Sequence, residues 1–263
     1  MKYFFIALFG LFLSQNAYGA IVTQIVDYQQ ADTPLEGYLA YDDSVSGKRP
    51  AVIVIHEWNG LDDYAKMRAQ KLAGLGYVAF AADIYGKGVR PESHEEAGKI
   101  AGAFKTDRSL MRERANAAYQ YIKNHKLVDP ERIAAMGYCF GGTAVLEMAR
   151  AGFDLKGVVS FHGGLDTPVA AKEGEIKSKV LVFHGADDPF VTKNDVSAFE
   201  QEMTQAKADW QLIIFGNAVH RFTVKEAGDD LSKGAAYNKA ADERSWEMTQ
   251  QFLTEIFLSH VIA

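Results

Sequence analysis

Short apolar runs alternate along the chain with stretches of helical spacing. Residues 51–55, "AVIVI", are apolar and β-branched with no polar alternation. That is how a central strand covered on both faces reads. Residues 64–75 follow with helical spacing that turns Met67, Leu72 and Leu75 inward. "YVAFAA" (77–82), "RIAAMG" (132–137, after Asp129-Pro130), the run from 156, "KVLVFHG" from 179 and "WQLIIFG" from 210 read as further strands. Helices are expected over 109–124, 141–151, 193–207 and 240–259. Two earlier strands, 22–30 and 35–42, join through Asp32-Thr33-Pro34.

Strands and helices in this alternation predict an α/β fold, a mostly parallel sheet flanked by helices on both faces. Right-handed crossovers follow from strand twist. Two segments interrupt the pattern. Residues 86–105, rich in Gly and charge, read as a partly helical excursion over the site, and 224–237 as an insertion that reshapes the cleft mouth. With no repeat and no linker, residues 20–263 read as one domain.

In sheets of this kind ligands gather beyond the carboxyl ends of the strands. Polar residues recur there: His56-Glu57, Asp83, Cys139, His162, Asp187-Asp188 and His220. Their repetition predicts one shared cleft.

Composition narrows the class. The 263 residues are 48% hydrophobic and carry a formal charge of -6 with both signs mixed. No block of like charge and no zinc-finger spacing supports a nucleic-acid partner. The N-terminus has a separate logic. Lys2, the apolar run from Tyr3 to Leu13 and the small residues to Ala20 have the order of a secretory signal peptide over 1–19, cut near Gly19/Ala20. The apolar run is short for a membrane span of about 20 residues. The mature chain is therefore expected in an exported location, a bacterial periplasm, without stable membrane insertion. Oligomeric state is not legible.

Export sharpens the question of the single cysteine, which has no partner within the chain for a disulfide. Gly137-Tyr138-Cys139-Phe140-Gly141 has the G-x-nucleophile-x-G form between a predicted strand and a predicted helix. Glycines on both sides permit the tight turn. The helix N-terminus aims amide N–H groups at the thiol and favours its anion relative to a usual pKa of about 8.5.

A thiol nucleophile needs a base. His220 follows the strand from 210, while His162 and His184 sit near other strand ends. Hydrolases of this sheet type run nucleophile, acid, histidine along the chain, which favours His220 and makes His184 structural. His94, His125 and His260 lie in polar, surface-like stretches and take no role. The acid is Asp187 or Asp188; "GADDPFV" does not separate them. "HEWNG" lacks the second histidine of a zinc-protease motif, so no metal or cofactor is expected.

"VIVIHEWNGL", "AADIYGKG", "MGYCFGGT", "FHGADDPFV" and the loop bearing His220 together resemble the dienelactone hydrolase family across nearly all of 30–258. The resemblance implies an α/β-hydrolase fold with a sheet of about eight strands. It places the triad on Cys139, Asp188 and His220. It also implies that Glu57 is linked to the resting thiol and helps generate the thiolate, and that the Trp58 and Phe140 amides form the oxyanion hole. Lys87 is implied at the substrate, and the rings of Trp58, Tyr85, Phe140 and Phe222 are expected to line the cleft mouth, with Tyr85 and Phe222 at the substrate. The family's two carboxylate-holding arginines fall on Lys87 and near Val224, and lysine lacks the arginine fork. Arg221 is expected to point elsewhere. Dienelactone itself is thus weakened as substrate, but the acyl-transfer machinery is not. The expected activity is cysteine-dependent hydrolysis of a small carboxylic ester or lactone through an acyl-thioester. A non-catalytic ligand-binding protein on the same scaffold and a thiol-redox or detoxifying protein are the alternatives.

Overall fold

The computed structural model describes residues 20–258. The signal peptide expected over 1–19, and His260, lie outside them. Eight strands, β1 (Ile21–Gln30), β2 (Thr33–Asp42), β3 (Arg49–Ile55), β4 (Val78–Ala82), β5 (Val128–Tyr138), β6 (Gly157–Phe161), β7 (Lys179–Gly185) and β8 (Trp210–Phe215), form one sheet. Its order is β1-β2-β4-β3-β5-β6-β7-β8. The first hairpin and the β2–β4 pair are antiparallel, and every later pair is parallel. The expected α/β-hydrolase architecture is therefore present.

Six helices cover the sheet: α1 (Asp63–Gly74), α2 (His94–Thr106), α3 (Arg108–Lys123), α4 (Phe140–Arg150), α5 (Lys193–Gln205) and α6 (Lys239–Leu258). The period-2 geometry of β3 sends Val52 and Val54 to one face, against α1 and α6, and Ala51, Ile53 and Ile55 to the other, against α2 to α5. Both faces are apolar because both are covered.

Three local expectations change. The inward face of α1 is Ala65, Arg68, Ala69, Leu72 and Ala73. Met67 is half-buried, and Leu75 is exposed because the helix ends at Gly74 and Leu75 is its C-cap. Arg68 goes inward because its guanidinium lies over the rings of Tyr64, Tyr138 and Trp246 and pairs with Asp242 at 2.7 Å. The excursion at 86–105 contains a full helix, α2, capped by the Ser93 side chain, which accepts from Glu96 N at 3.2 Å. The segment 224–237 forms two 3-10 turns, 225–227 and 231–233, and then folds back on His220. The His220 amide donates to Gly234 O at 3.1 Å, and the Ala236 amide donates to His220 O at 3.0 Å.

Candidate active site

β5 hands the chain to α4 through one residue, Cys139, at φ 51° and ψ -113°. This combination of positive φ and negative ψ lies outside the left-handed region that Asn and Asp tolerate and is strained for any residue but glycine. The turn is held because its surroundings leave no room to relax. A Cβ on Gly137 would collide with the Gly141 carbonyl, and one on Gly141 with the Ile55 carbonyl. The strain projects the thiol above the strand end, as a nucleophile elbow requires.

His220 Nε2 lies 3.0 Å from Cys139 Sγ, and its Nδ1 lies 2.8 Å from Asp188 Oδ2. The second Asp188 oxygen accepts from Phe190 N at 2.8 Å. Asp188 is buried and Asp187 exposed, which settles the choice that "GADDPFV" left open. The imidazole is enclosed edge-to-face by His162 and Phe190 at 5.2 and 5.3 Å between ring centres. Its pKa is pushed up to about 10: burial opposes the charge, but a Cys139 thiolate and the hydrogen-bonded Asp188 carboxylate outweigh burial. His220 is thus favoured as the cation beside Cys139.

The N–H groups of Trp58 and Phe140 donate to no group among the described residues. The Trp58 carbonyl is anchored by the Tyr85 hydroxyl at 3.0 Å. The turn before it is fixed by His56, whose Nε2 accepts from Ile84 N at 3.2 Å and whose Nδ1 therefore donates to Glu57 O at 2.5 Å.

Glu57 departs from expectation. Its carboxylate does not bond the thiol; it accepts from Arg221 Nε at 3.2 and 3.1 Å and from Nη2 at 2.8 Å. Burial pushes its carboxyl up, with Arg221 only partly offsetting this. Arg221, expected to point elsewhere, forms part of the cleft wall beside the triad. Its partner lies 164 residues away, so adjacency to His220 gave no signal.

The cleft is a cavity of about 580 Å³ with Cys139 and His220 in its wall, together with Trp58, Phe190, Leu165 and Lys105. Three implied substrate contacts fall elsewhere. Lys87 is exposed and pairs with Asp27 through both carboxylate oxygens at 2.7 Å, away from the cavity. Tyr85 is buried against His56, Phe104 and Phe140, and Phe222 is buried against His162 and Phe215. These rings form the floor beneath the site; Trp58 is the one of the four expected aromatics that lines the cleft, since the Phe140 ring is buried as well. His94 joins the cleft wall instead, stacked on Trp58 at 5.3 Å. Asp83 also leaves the shared cleft, because its carboxylate accepts from Glu36 N, Tyr85 N and Gly86 N and shapes the turn after β4. His184 bonds no member of the triad. Among the described residues no cluster of three or more His, Cys, Asp or Glu has a metal-binding arrangement.

The model of the dienelactone hydrolase family matches residues 35–257. The chain belongs to the dienelactone hydrolase family. It is 30% identical over 243 residues, 87% of this chain and 97% of the relative, to a "Probable 2-oxo-3-(5-oxofuran-2-ylidene)propanoate lactonase" of Bradyrhizobium sp. It is 37% identical over 150 residues to an uncharacterised protein of Caenorhabditis elegans, covering 56% of this chain and 94% of that one. Among solved structures, a dienelactone hydrolase-like promiscuous phosphotriesterase from metagenomic libraries superposes with TM-score 0.86 at 41% identity, covering 91% of this chain and all of that one (100%). In this dienelactone hydrolase family member, Cys139, His220 and Asp188 form a triad consistent with the family's cysteine-nucleophile hydrolysis.

Proposed function

We propose that the protein hydrolyses small carboxylic esters or lactones through an acyl-thioester on Cys139. The observation that carries this reading is the unbroken line Asp188–His220–Cys139, with contacts of 2.8 and 3.0 Å opening on the cavity. The Cys139 thiolate attacks the carbonyl carbon, and its oxygen takes the negative charge between the free Trp58 and Phe140 amides. His220 Nε2 gives its proton to the departing alkoxide as the carbon–oxygen bond breaks. His220 then accepts a proton from the attacking water, and the second tetrahedral adduct expels the thiolate and releases the acid. Asp188 holds the ring and balances its charge throughout.

Glu57 acts here through others. Its carboxylate fixes Arg221 in the cleft wall, and its carbonyl, held by His56 Nδ1 and Gly60 N, shapes the turn that presents the Trp58 amide.

The 41% identical relative described as a phosphotriesterase favours a second substrate class. The same thiolate can displace an aryloxide from an uncharged phosphotriester, with the phosphoryl oxygen taking the place of the carbonyl oxygen.

The test is a rapid quench of the protein with p-nitrophenyl acetate, read by mass spectrometry. An acetyl adduct on Cys139 that decays with turnover, and is lost in Cys139→Ala, is expected. Product release undiminished in Cys139→Ala would sink the reading. A parallel arm with paraoxon separates the second class: no aryloxide released and no phosphoryl adduct would remove it and leave ester hydrolysis standing.

A further inference from the structure

We propose that His162 is a positioning residue for the nucleophile: a neutral imidazole, fixed in one tautomer by a buried chain of hydrogen bonds, that holds the backbone amide of Cys139. The inference rests on the acyl-thioester reading of the same site.

The Cys139 amide donates to two acceptors, Phe161 O at 3.0 Å and His162 Nδ1 at 3.1 Å. An amide N–H can only donate, so Nδ1 is bare and the ring proton sits on Nε2. Nε2 lies 2.9 Å from Thr223 Oγ1, which accepts it. The same Oγ1 accepts from the Tyr64 hydroxyl at 2.7 Å. Tyr64 in turn accepts from Arg68 Nε and Nη2 at 3.1 and 2.9 Å, and Arg68 Nη2 also reaches Thr223 O at 3.1 Å and Asp242 Oδ1 at 2.7 Å. Thus α1, α6 and the loop after His220 all bear on one ring nitrogen.

His162 is fully buried. A charged ring there would lose solvation, face Arg68, Arg221 and His220, and turn a second N–H against the Cys139 amide. Burial and those cations hold its pKa well below the usual value. The residue itself stands at φ 40°, so the fold accepts a strained backbone to place this side chain. Its ring also packs edge-on to His220 at 5.2 Å. One side chain therefore bears on both Cys139 and His220, and Cys139 stays in its own strained conformation because its amide is tied. A displacement of about 1 Å in a reacting atom can cost about 100-fold in rate.

The test compares His162→Gly, which suits the positive φ and removes the acceptor, with His162→Asn, which suits the same φ and offers Oδ1 where Nδ1 stood. Thr223→Val removes the acceptor that fixes the tautomer. With p-nitrophenyl acetate as probe, His162→Gly is expected to lower kcat about 100-fold with KM within about 2-fold. His162→Asn should recover at least about 10-fold of that loss, and Thr223→Val should lose about 3- to 10-fold in kcat. Near-UV circular dichroism confirms folding. Equal losses in folded Gly and Asn variants, or kcat unchanged in folded His162→Gly, would overturn the proposal. Should His162→Gly not fold, Thr223→Val decides: kcat within about 2-fold of the parent overturns it. Failure of the parent itself to form a Cys139 adduct would instead reject the reading on which this rests.

Discussion

Glu57 at the end of β3 and Glu147 in α4 are both fully buried carboxylates that meet arginine. Glu147 sits in a closed network. Its Oε2 accepts from Arg112 at 2.9 and 2.6 Å and its Oε1 from Arg150 at 3.0 Å. Arg150 also grips Glu202 at 2.9 and 2.7 Å and Leu165 O at 2.9 Å, while Glu202 accepts from Ala171 N at 2.9 Å. That network ties α3, α4 and α5 to the loop forming one wall of the cleft. Glu57 has a single arginine, with Asp62 and His220 acting on it at longer range, and its carboxyl is driven up. Both carboxylates accept three hydrogen bonds, but Glu147 draws them from two arginines and serves stability, whereas Glu57 draws them from one. Beside the reactive thiol it is left incompletely compensated, as functional carboxylates tend to be.

The comparison breaks most readily at Glu147. Glu147→Ala leaves Arg112 and Arg150 without their shared anion and should cost about 3–5 kcal/mol, the usual scale for removing one partner of a buried pair. Urea unfolding measures it. A loss below about 1 kcal/mol would mean that the two carboxylates are equivalent after all.

Arg221→Met should act less strongly and depend on pH. A carboxyl raised in the folded state contributes stability that is full below its unfolded value near 4.5 and is lost as pH rises through the folded value. Without Arg221 the folded value rises further, so ionising Glu57 becomes more costly. The variant should lose about 1–3 kcal/mol relative to the parent at pH 8, and less at pH 5, where Glu57 is more readily protonated. Urea midpoints at both pH values are the readout. Equal losses would show that Arg221 stabilises by packing, with the Glu57 charge irrelevant.

The difference between these carboxylates was invisible in the sequence, and the reason is distance along the chain. The sheet was legible because β-branched runs and helical spacing are local properties. Cys139 was legible because the elbow carries its glycines with it, and His220 because the order of nucleophile, acid and base is fixed by the topology. Asp188 against Asp187 needed the turn that buries one and exposes the other. Arg221 and Glu57 are 164 residues apart, and the rings that accept Arg68 come from α1, β5 and α6. Tyr85, Phe222 and Lys87 were drawn toward the substrate by their places in motifs. Burial took the two rings beneath the floor, and an aspartate on β1 took the lysine.

Lys87 gives the smallest effect and the sharpest limit. Its pair with Asp27 is exposed on both sides, at 43% and 66% of side-chain surface. Water and salt screen such a pair, and ordering the long lysine side chain offsets what attraction remains. Lys87→Ala should leave the urea midpoint unchanged. It should also leave kcat/KM unchanged for a neutral ester and for a lactone bearing a free carboxylate. The two substrates make the result diagnostic. A rise in KM for the carboxylate-bearing lactone alone would mean that Lys87 leaves Asp27 to reach the substrate. Ion pairs remote from the thiol would then no longer be confined to serving the fold or nothing measurable.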